Sequence, residues 1–403
     1  MDNFCKPLKY MNLNFGTRMP FSRLLCQDAR GRRRLMEFQI STDELRKALS
    51  RAQGVVERKA TMPILSHVLL QAKPAQLSVT AFDLDVGLTS DLPAQVSTEG
   101  AVALSAKHLL DIVQNLPEAQ VAFSKQANHH VEISSGSANY RLVGLADAEF
   151  PKLPAKESAR LVSISAVGLL EMIRRTSFAI STDETRYNLN GVFFEPREDN
   201  KVRMVATDGH RLALVERVLG AQLAFASGAI LPRKGLLELR KLLDEAPEAE
   251  VQLAFVDNLF LFKRADLSML MRLVDGQFPD YQRVIPKQHE RLVSLPRMRF
   301  VEGLKRIALL SAEKSNAVRL TFSENLLRIS TQNPDLGEAR DDVAVGYKGE
   351  ELSIGFNARY LLDVLGALPS EEVRLSLGDE HSPALIQAPD DESYVAVVMP
   401  MRV

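Results

Sequence analysis

Three versions of one heptapeptide decide the fold of this chain: Ser105-Ala-Lys-His-Leu-Leu-Asp111, Pro232-Arg-Lys-Gly-Leu-Leu-Glu238 and Asn357-Ala-Arg-Tyr-Leu-Leu-Asp363. Their basic position recurs at Lys107, Lys234 and Arg359, with spacings of 127 and 125 residues. In each copy apolar residues follow at helical spacing, which predicts the start of an amphipathic helix. A repeat of this length can bury its own core, so the pattern predicts one assembly used three times.

Two further features recur with the same period. A second predicted helix lies upstream in each copy, and in the first copy Ser41 and Glu44 form a capping box before it. A polar turn after a strand-like run places Asp83, Asp208 and Asn333 at spacings of 125 and 125 residues. The six predicted helices lie at 42–53, 106–116, 166–177, 233–243, 297–308 and 358–368. Strand-like runs fill the gaps between them, so we predict an α+β fold of three repeated units with two helices in each.

The domain boundaries follow from two polar, proline-led stretches at 154–160 and 286–291, which have the composition of linkers. We therefore predict domains at 36–159, 160–288 and 289–403. Residues 1–35 lack the period of the rest and are expected to be a disordered extension, or to precede the true start at Met36. A basic DNA-binding arm is the alternative for this segment.

Composition limits the class of protein. The 403 residues include 46% hydrophobic and 25% charged side chains, with a formal net charge of −1, as expected for a chain with several buried cores. No apolar stretch of 18 residues occurs, so a membrane span is not expected. Both cysteines, Cys5 and Cys26, lie in the first 35 residues, and this leaves the rest without disulfides and favours a cytoplasmic protein.

The charge is unevenly distributed along the chain. Residues 1–35 carry +6 and the six helix windows carry +8, which leaves −15 for everything else. Arg51, Arg175 and Arg306 each stand two residues after an apolar core position, so they are expected to point away from the buried stripe of their helix. A basic helix layer on an acidic body suits duplex DNA, because lysine and arginine neutralise phosphates without reading the base sequence.

A search for catalytic motifs points away from an enzyme. The chain contains no GxxxxGK[ST], GxGxxG or GxSxG motif and no zinc-ligand spacing, so no cofactor and no metal are expected. In the stretch Ala206-Thr-Asp-Gly-His-Arg-Leu-Ala213, Asp208 and His210 could form an acid–base pair, but a tight turn around Gly209 is the structural alternative. Two competing functions stay open at this point: an enzyme that uses this pair, and an open scaffold that binds DNA on its surface.

Four motifs resemble one known family: Ala206-Thr-Asp-Gly-His-Arg-Leu-Ala213, Thr61-Met-Pro-Ile-Leu65, Phe278-Pro-Asp-Tyr281 and Val398-Met-Pro-Met-Arg-Val403. The family is the bacterial sliding clamp, the beta subunit of DNA polymerase III, and the resemblance runs from Met36 to Val403. It implies three DNA-clamp domains, each with two helices packed on antiparallel sheets, in a ring formed as a head-to-tail homodimer. It also implies a non-catalytic protein that encircles double-stranded DNA and gives the replicative polymerase processivity. The implied partners are the clamp loader, replicative and repair polymerases and other clamp-motif proteins.

The resemblance further implies a groove between the second and third domains that docks partner peptides. Its residues would be Leu189, Thr207, Gly209, His210, Arg211, Leu212, Pro279, Val284, Asn357, Tyr360, Val398, Met399, Pro400, Met401 and Arg402. For DNA, the resemblance implies Lys59, Arg186, Tyr187 and Lys234, and the charge pattern adds Arg51, Arg175, Arg240 and Arg306. At the dimer interface we expect Tyr140, Leu309 and Leu310. Within the groove, His210, Arg211 and Asn357 are expected to hydrogen-bond a peptide. Asn188 stands where some family members have an aromatic residue, which weakens the expected stacking on single-stranded template.

Overall fold

A computed structural model describes residues 35–57, 62–154, 159–220, 228–286, 291–312 and 315–402. The predicted DNA contact Lys59 and the basic segment 1–34 lie outside the described residues. Within the described part, no helix is both long enough and apolar enough to cross a membrane.

Three units follow one another with the same order of elements, strand–helix–four strands–helix–three strands, and the first unit has one extra strand. The first unit comprises β1 Met36–Ser41, α1 Thr42–Val55, β2 His67–Lys73, β3 Gln76–Phe82, β4 Val86–Pro93, β5 Gln95–Thr98, β6 Gly100–Ser105, α2 Ala106–Val113, β7 Gln120–Lys125, β8 His130–Ser135 and β9 Ala138–Val143. The second comprises β10 Val162–Ser165, α3 Ala166–Thr176, β11 Gly191–Pro196, β12 Lys201–Thr207, β13 Arg211–Val218, β14 Ala229–Pro232, α4 Arg233–Glu245, β15 Glu250–Val256, β16 Leu259–Arg264 and β17 Leu267–Arg272. The third comprises β18 Arg291–Pro296, α5 Arg297–Ala308, β19 Ala317–Ser323, β20 Leu326–Asn333, β21 Gly337–Ala344, β22 Leu352–Asn357, α6 Ala358–Ala367, β23 Glu372–Leu377, β24 Ala384–Ala388 and β25 Asp391–Val398.

The two helices of each unit pack against each other and against the sheets. In the first unit, Leu45 and Leu49 of α1 are fully buried, and the rings of Phe38 and Phe123 stack beneath the helices 4.8 Å apart. The amide of Glu44 donates to Ser41 Oγ at 3.5 Å, which is one half of the predicted capping box. Apolar burial on one face of each helix therefore stabilises the layers, and the predicted α+β repeat with six helices is confirmed.

Neighbouring units share continuous antiparallel sheets. The strand orders are β5-β1-β7-β8-β9, β10-β15-β16-β17-β4-β3-β2-β6, β14-β11-β12-β13-β25-β24-β23-β18 and β21-β20-β19-β22. The joint between the first and second units is the pairing of β4 with β17, and the joint between the second and third is the pairing of β13 with β25. The same two edges of the unit meet at both joints, and β21 and β9 are left as the matching unpaired edges of the described sheets.

Candidate functional site

A tight turn lies beside the joint between the second and third units. Thr207 Oγ1 donates to the Arg211 carbonyl at 2.7 Å and accepts from the amide of Gly209, whose φ is +87°. Asp208 Oδ1 accepts from the amides of His210 and Arg211 at 2.9 and 3.0 Å. The turn therefore needs two short polar side chains at its start, Thr207 and Asp208, and glycine directly after them, as the structural interpretation of this motif predicts.

Arg211 ties the turn to the third unit. Its Nε donates to Asp208 Oδ2 at 3.0 Å, its Nη1 to Asp363 Oδ2 at 2.6 Å and its Nη2 to the Phe178 carbonyl at 2.6 Å. Its guanidinium lies 4.5 Å from the centroid of the Tyr360 ring, a cation–π contact. Three donors are thus engaged inside the chain, and the side chain links the turn to α6 and to the residues that follow α3.

Asn357 has a similar internal role. Its Oδ1 accepts from the amides of Arg359 and Tyr360 and so caps α6, and its Nδ2 donates to the Ser315 carbonyl at 3.0 Å. Both ends of the Asn357 amide are thus engaged within the chain, and whether its second Nδ2 hydrogen binds a peptide stays a prediction. His210 differs, because its exposed ring stacks on Tyr360 with a centroid distance of 6.2 Å and faces solvent on its other side.

Burial affects the phenol of Tyr360. Removal from water, together with the negative charge of Asp208, raises the pKa of Tyr360. The phenol stays protonated at neutral pH and can donate a hydrogen bond to a carbonyl that enters the groove.

The chain's last described residues run across the joint. The amide of Met399 donates to the His210 carbonyl and that of Met401 to the Gly355 carbonyl, each at 2.9 Å. A cavity of about 490 Å³ lies on one side of this segment and one of about 530 Å³ on the other. The first is lined by Arg283, Val284, Pro286, Ser376, Gly378, Asp379, Ser382, Pro383 and Met399. The second is lined by Arg319, Ser353, Gly355, Glu380, His381, Pro400, Met401 and Arg402.

These cavities include residues that the sequence reasoning missed. Ser376, Asp379 and Ser382 come from the end of β23 and the loop that follows it, and only tertiary packing brings them beside Val284 and Met399. Nothing in their local sequence distinguishes that loop from an ordinary polar turn.

An apolar floor supports the groove. Leu212 is buried in a cluster that joins the two units through Tyr281, Leu385 and Val397. Leu189 is also buried, in a short 3₁₀ turn at Tyr187–Leu189. By contrast Val284 and Met399 are exposed, as is Pro279. The groove residues thus divide into a buried supporting set, Leu189, Thr207, Arg211, Leu212 and Val398, and an accessible set.

Two predicted DNA contacts are turned inward. Arg175 is only 8% exposed and binds Glu171 at 2.9 Å and the carboxylate of Asp391. Arg51 is 14% exposed and binds Glu245 at 2.8 Å and Asp266 at 3.3 Å. Both side chains point away from the buried stripe of their own helix, as expected, but this direction brings them against the next unit, and the expectation that it leaves them free for DNA is wrong.

Asp391 is the centre of the charge cluster at the second joint. It accepts hydrogen bonds from Ser393, Arg217 and Arg175. Burial alone would raise the pKa of Asp391, but these hydrogen bonds hold that pKa well below its usual range. The carboxylate is therefore charged at all physiological pH values and links three elements.

The other predicted cations are placed differently. Lys234 donates to the Val55 carbonyl at 2.7 Å and to the Asp83 carboxylate, so it also bridges two units. Arg306 is 51% exposed but is tied to Asp341 of its own unit, with Nε to Oδ2 at 2.9 Å. Arg186 and Tyr187 are exposed side by side, and Arg240 is half-buried.

The geometry of the turn does not support an acid–base pair. The oxygens of Asp208 accept from two backbone amides and from Arg211, and the imidazole of His210 is directed to Tyr360. Among the described residues, no group of three histidine, cysteine, aspartate or glutamate side chains could hold a metal ion.

The predicted interface residues lie at the two unpaired edges. Tyr140 is on β9 and is 37% exposed, and Leu309, which follows α5 beside β21, is 80% exposed. Leu310 is half-buried next to it.

Comparison with known proteins gives one consistent result. Models of the DNA polymerase III beta subunit match its N-terminal domain at 36–154, its central domain at 163–280 and its C-terminal domain at 282–402. The chain is 38% identical over 370 residues to the beta sliding clamp of Pseudomonas putida and 36% identical over 373 residues to that of Caulobacter vibrioides. Both alignments cover 91% of this chain and 100% of the relative.

Solved structures agree with this result. The chain is similar to the DnaN sliding clamp of Bartonella birtlesii bound to griselimycin, with a TM-score of 0.87 and 38% identity over 91% of this chain and 100% of that one. It is also similar to the DNA polymerase sliding clamp of Bacillus subtilis, with a TM-score of 0.87 and 31% identity over 91% of this chain and 99% of that one.

Proposed function

This chain belongs to the bacterial sliding clamp family, the beta subunit of DNA polymerase III, and we propose that it acts as a closed ring of two copies around duplex DNA. The chain is a DNA sliding clamp that works with DNA polymerase, and like its family it is not an enzyme. The domains at 36–159, 160–288 and 289–403 that the sequence indicates would supply three of the six segments of the ring.

The unpaired edges carry the argument for closure. At both internal joints, the edge strand next to the polar turn (β4 or β13) pairs with the last strand of the following unit (β17 or β25). The third unit offers the equivalent β21, and the first unit offers the equivalent β9. If the joint is used a third time, β21 of one copy pairs with β9 of a second, and the heterologous contact closes after two copies.

Apolar side chains beside the joint support the same pairing. Leu310 stands four residues after Arg306, as Val55 stands after Arg51 and Ala179 after Arg175. Both internal equivalents are fully buried. We therefore place Leu309, Leu310 and Tyr140 in the interface between two copies, where burial of apolar surface would stabilise the ring.

For DNA we place the exposed pair Arg186 and Tyr187 in contact with the nucleic acid. A guanidinium beside an accessible aromatic ring can neutralise a phosphate and stack on a base. Lys59 and Arg240 complete this proposed set. Arg51 and Arg175 are left out, because internal carboxylates already neutralise them.

For partner proteins we propose that short peptides dock across the second joint. His210, Val284 and Met399 are accessible there, and Tyr360 can donate from its phenol. Methionine adapts to apolar anchors of different shape, so clamp loader, polymerases and repair proteins could use one groove in turn. Because these partners act on chromosomal DNA, the proposed location is the cytoplasm.

Topological retention on DNA tests the proposal. The protein is loaded on nicked circular plasmid, half of the sample is linearised, and both halves pass through a sizing column at high salt. A ring stays with circles and leaves linear DNA through its ends. A surface binder would respond to salt but not to linearisation, and that result would refute the ring.

A further inference from the structure

The two internal joints share one register, and that register can be transferred to the edges that remain. The strand pairs on either side of the polar turn show which positions of β4 and β21 are equivalent. Phe82, one residue before the turn residue Asp83, pairs with Gly87, and Gln332, one residue before the matching turn residue Asn333, pairs with Glu338. Glu338 is therefore the counterpart of Gly87.

A second equivalence relates the partner strands β17 and β9. Both follow a two-residue hairpin turn, with end pairs Arg264↔Leu267 and Ser135↔Ala138. Leu270 stands three residues after Leu267, so its counterpart on β9 is Arg141. At the first joint Leu270 pairs with Gly87.

From this transferred register we propose that Arg141 of one protomer lies directly opposite Glu338 of a second copy and forms an ion pair with it at each of the two joints between copies. The inference rests on the ring proposed above. The same register sets Tyr140 opposite Ala339, so an exposed aromatic side chain meets a small residue on the helix side of the sheet.

The side chains are placed for this pairing. Arg141 is exposed and uses one donor, to Gln126 Oε1 at 3.1 Å, which leaves donors for a carboxylate. Glu338 is exposed and forms no ion pair with any residue in the described ranges. Because side chains alternate along a strand and Leu142 packs on the core, Arg141 faces away from the helices.

The closing joint therefore differs chemically from the internal ones. At the matching position, the joint between the first and second units has Leu270 opposite Gly87. The joint between the second and third units has the buried pair Leu212 and Val397. An ion pair exposed to water is screened by salt and contributes little to stability. It therefore suits a joint that has to open, whereas a buried apolar pair would hold such a joint closed more strongly.

The helix side shows the complementary difference. Arg51 and Arg175 each reach a carboxylate of the following unit, Asp266 or Asp391. Their counterpart Arg306 is bound to Asp341 of its own unit, and the hairpin before β9 carries Gly136-Ser137 where an acid would be needed. The charged contact between copies has thus moved from the helix side of the sheet to its outer face.

Charge reversal tests the pair through dimer stability. The full chain is labelled in two populations with donor and acceptor fluorophores, and subunit exchange and the dimer Kd are measured at low salt. Arg141→Glu and Glu338→Arg should each weaken the dimer about tenfold or more, because like charges then face each other at both joints. The double variant should return to within about threefold of the original Kd.

A matched variant checks the register. Asp342→Arg makes the same charge change on the same face of β21, four residues from Glu338, and should not rescue Arg141→Glu. Circular dichroism confirms that each monomer is folded. Rescue by Asp342→Arg, or no response to either reversal in a dimeric protein, would overturn the pair while the ring stands. A wild-type chain that stays monomeric would overturn the ring and the pair together.

Discussion

Replacement of Asp391 by asparagine should destabilise the joint between the second and third units by about 3 kcal/mol or more. The carboxylate accepts hydrogen bonds from Arg217 Nη2 at 2.6 Å and from Ser393 Oγ at 2.5 Å, and it forms an ion pair with the buried Arg175. Asparagine keeps the size of the side chain but leaves two guanidinium groups short of their counter-charge. Removal of one partner of a buried ion pair costs about 3–5 kcal/mol, and the 19% exposure of Asp391 places this cost at the lower end.

The assay is urea unfolding followed by far-UV circular dichroism, with Asp342→Asn as the matched control. Asp342 forms a two-point ion pair with Arg328 at 2.9 and 3.1 Å, but both side chains are nearly half exposed. The free energy of unfolding of the control should therefore fall by less than about 1 kcal/mol. If Asp391→Asn costs no more than the control, the reasoning from burial is wrong.

The pH dependence has a definite sign. Because the folded pKa of Asp391 is lowered, its contribution to stability is fully present above the ordinary aspartate pKa of about 3.9 and is lost as pH falls toward the folded pKa. The stability difference between wild type and Asp391→Asn should therefore be smaller at pH 3 than at pH 7. An equal difference at the two pH values would show that the charge of Asp391 contributes nothing.

Three more predictions concern single positions. Gly366→Ala, which has open space around it within α6, should raise the free energy of unfolding by about 0.5–1 kcal/mol in thermal melts, because alanine favours a helix more than glycine does. Gly54→Ala should lower the free energy of unfolding by no more than about 1 kcal/mol in the same melts, because the new methyl group meets only the end of the flexible Glu238 side chain, which can turn aside. Asn357→Ala should cost about 1–2 kcal/mol through loss of the α6 cap and Asn357→Ser much less, and equal losses in calorimetry would contradict the capping role. Leu309→Lys should shift sedimentation from dimer to monomer without changing the unfolding of the monomer, and a persistent dimer would remove Leu309 from the proposed interface.

Much of the fold could be predicted from local sequence. The heptapeptide repeat and the Asp83, Asp208 and Asn333 markers predicted three α+β units and six helices, because helix periodicity and turn chemistry are set by neighbouring residues. The turn at Gly209 was predicted from the same kind of signal, since only a few residue types favour its positive φ.

The partners of charged side chains could not be predicted in this way. Arg175 meets Asp391 across 216 positions, and Arg211 meets Asp363 across 152. A count of charges along the helices therefore overstated the cations available to DNA. The helix cap that Asn357 forms at the start of α6 was not predicted either.

The sequence by itself determined that one unit is repeated three times, since the apolar periods and turn residues that form each unit lie within about 125 positions. The tertiary structure alone decided which edges meet, which arginines are neutralised and that β9 and β21 remain edge strands of the described sheets. The physical reason is range: helices and turns follow from interactions between near neighbours, whereas ion pairs and joints between units depend on surfaces that approach only after each core has formed.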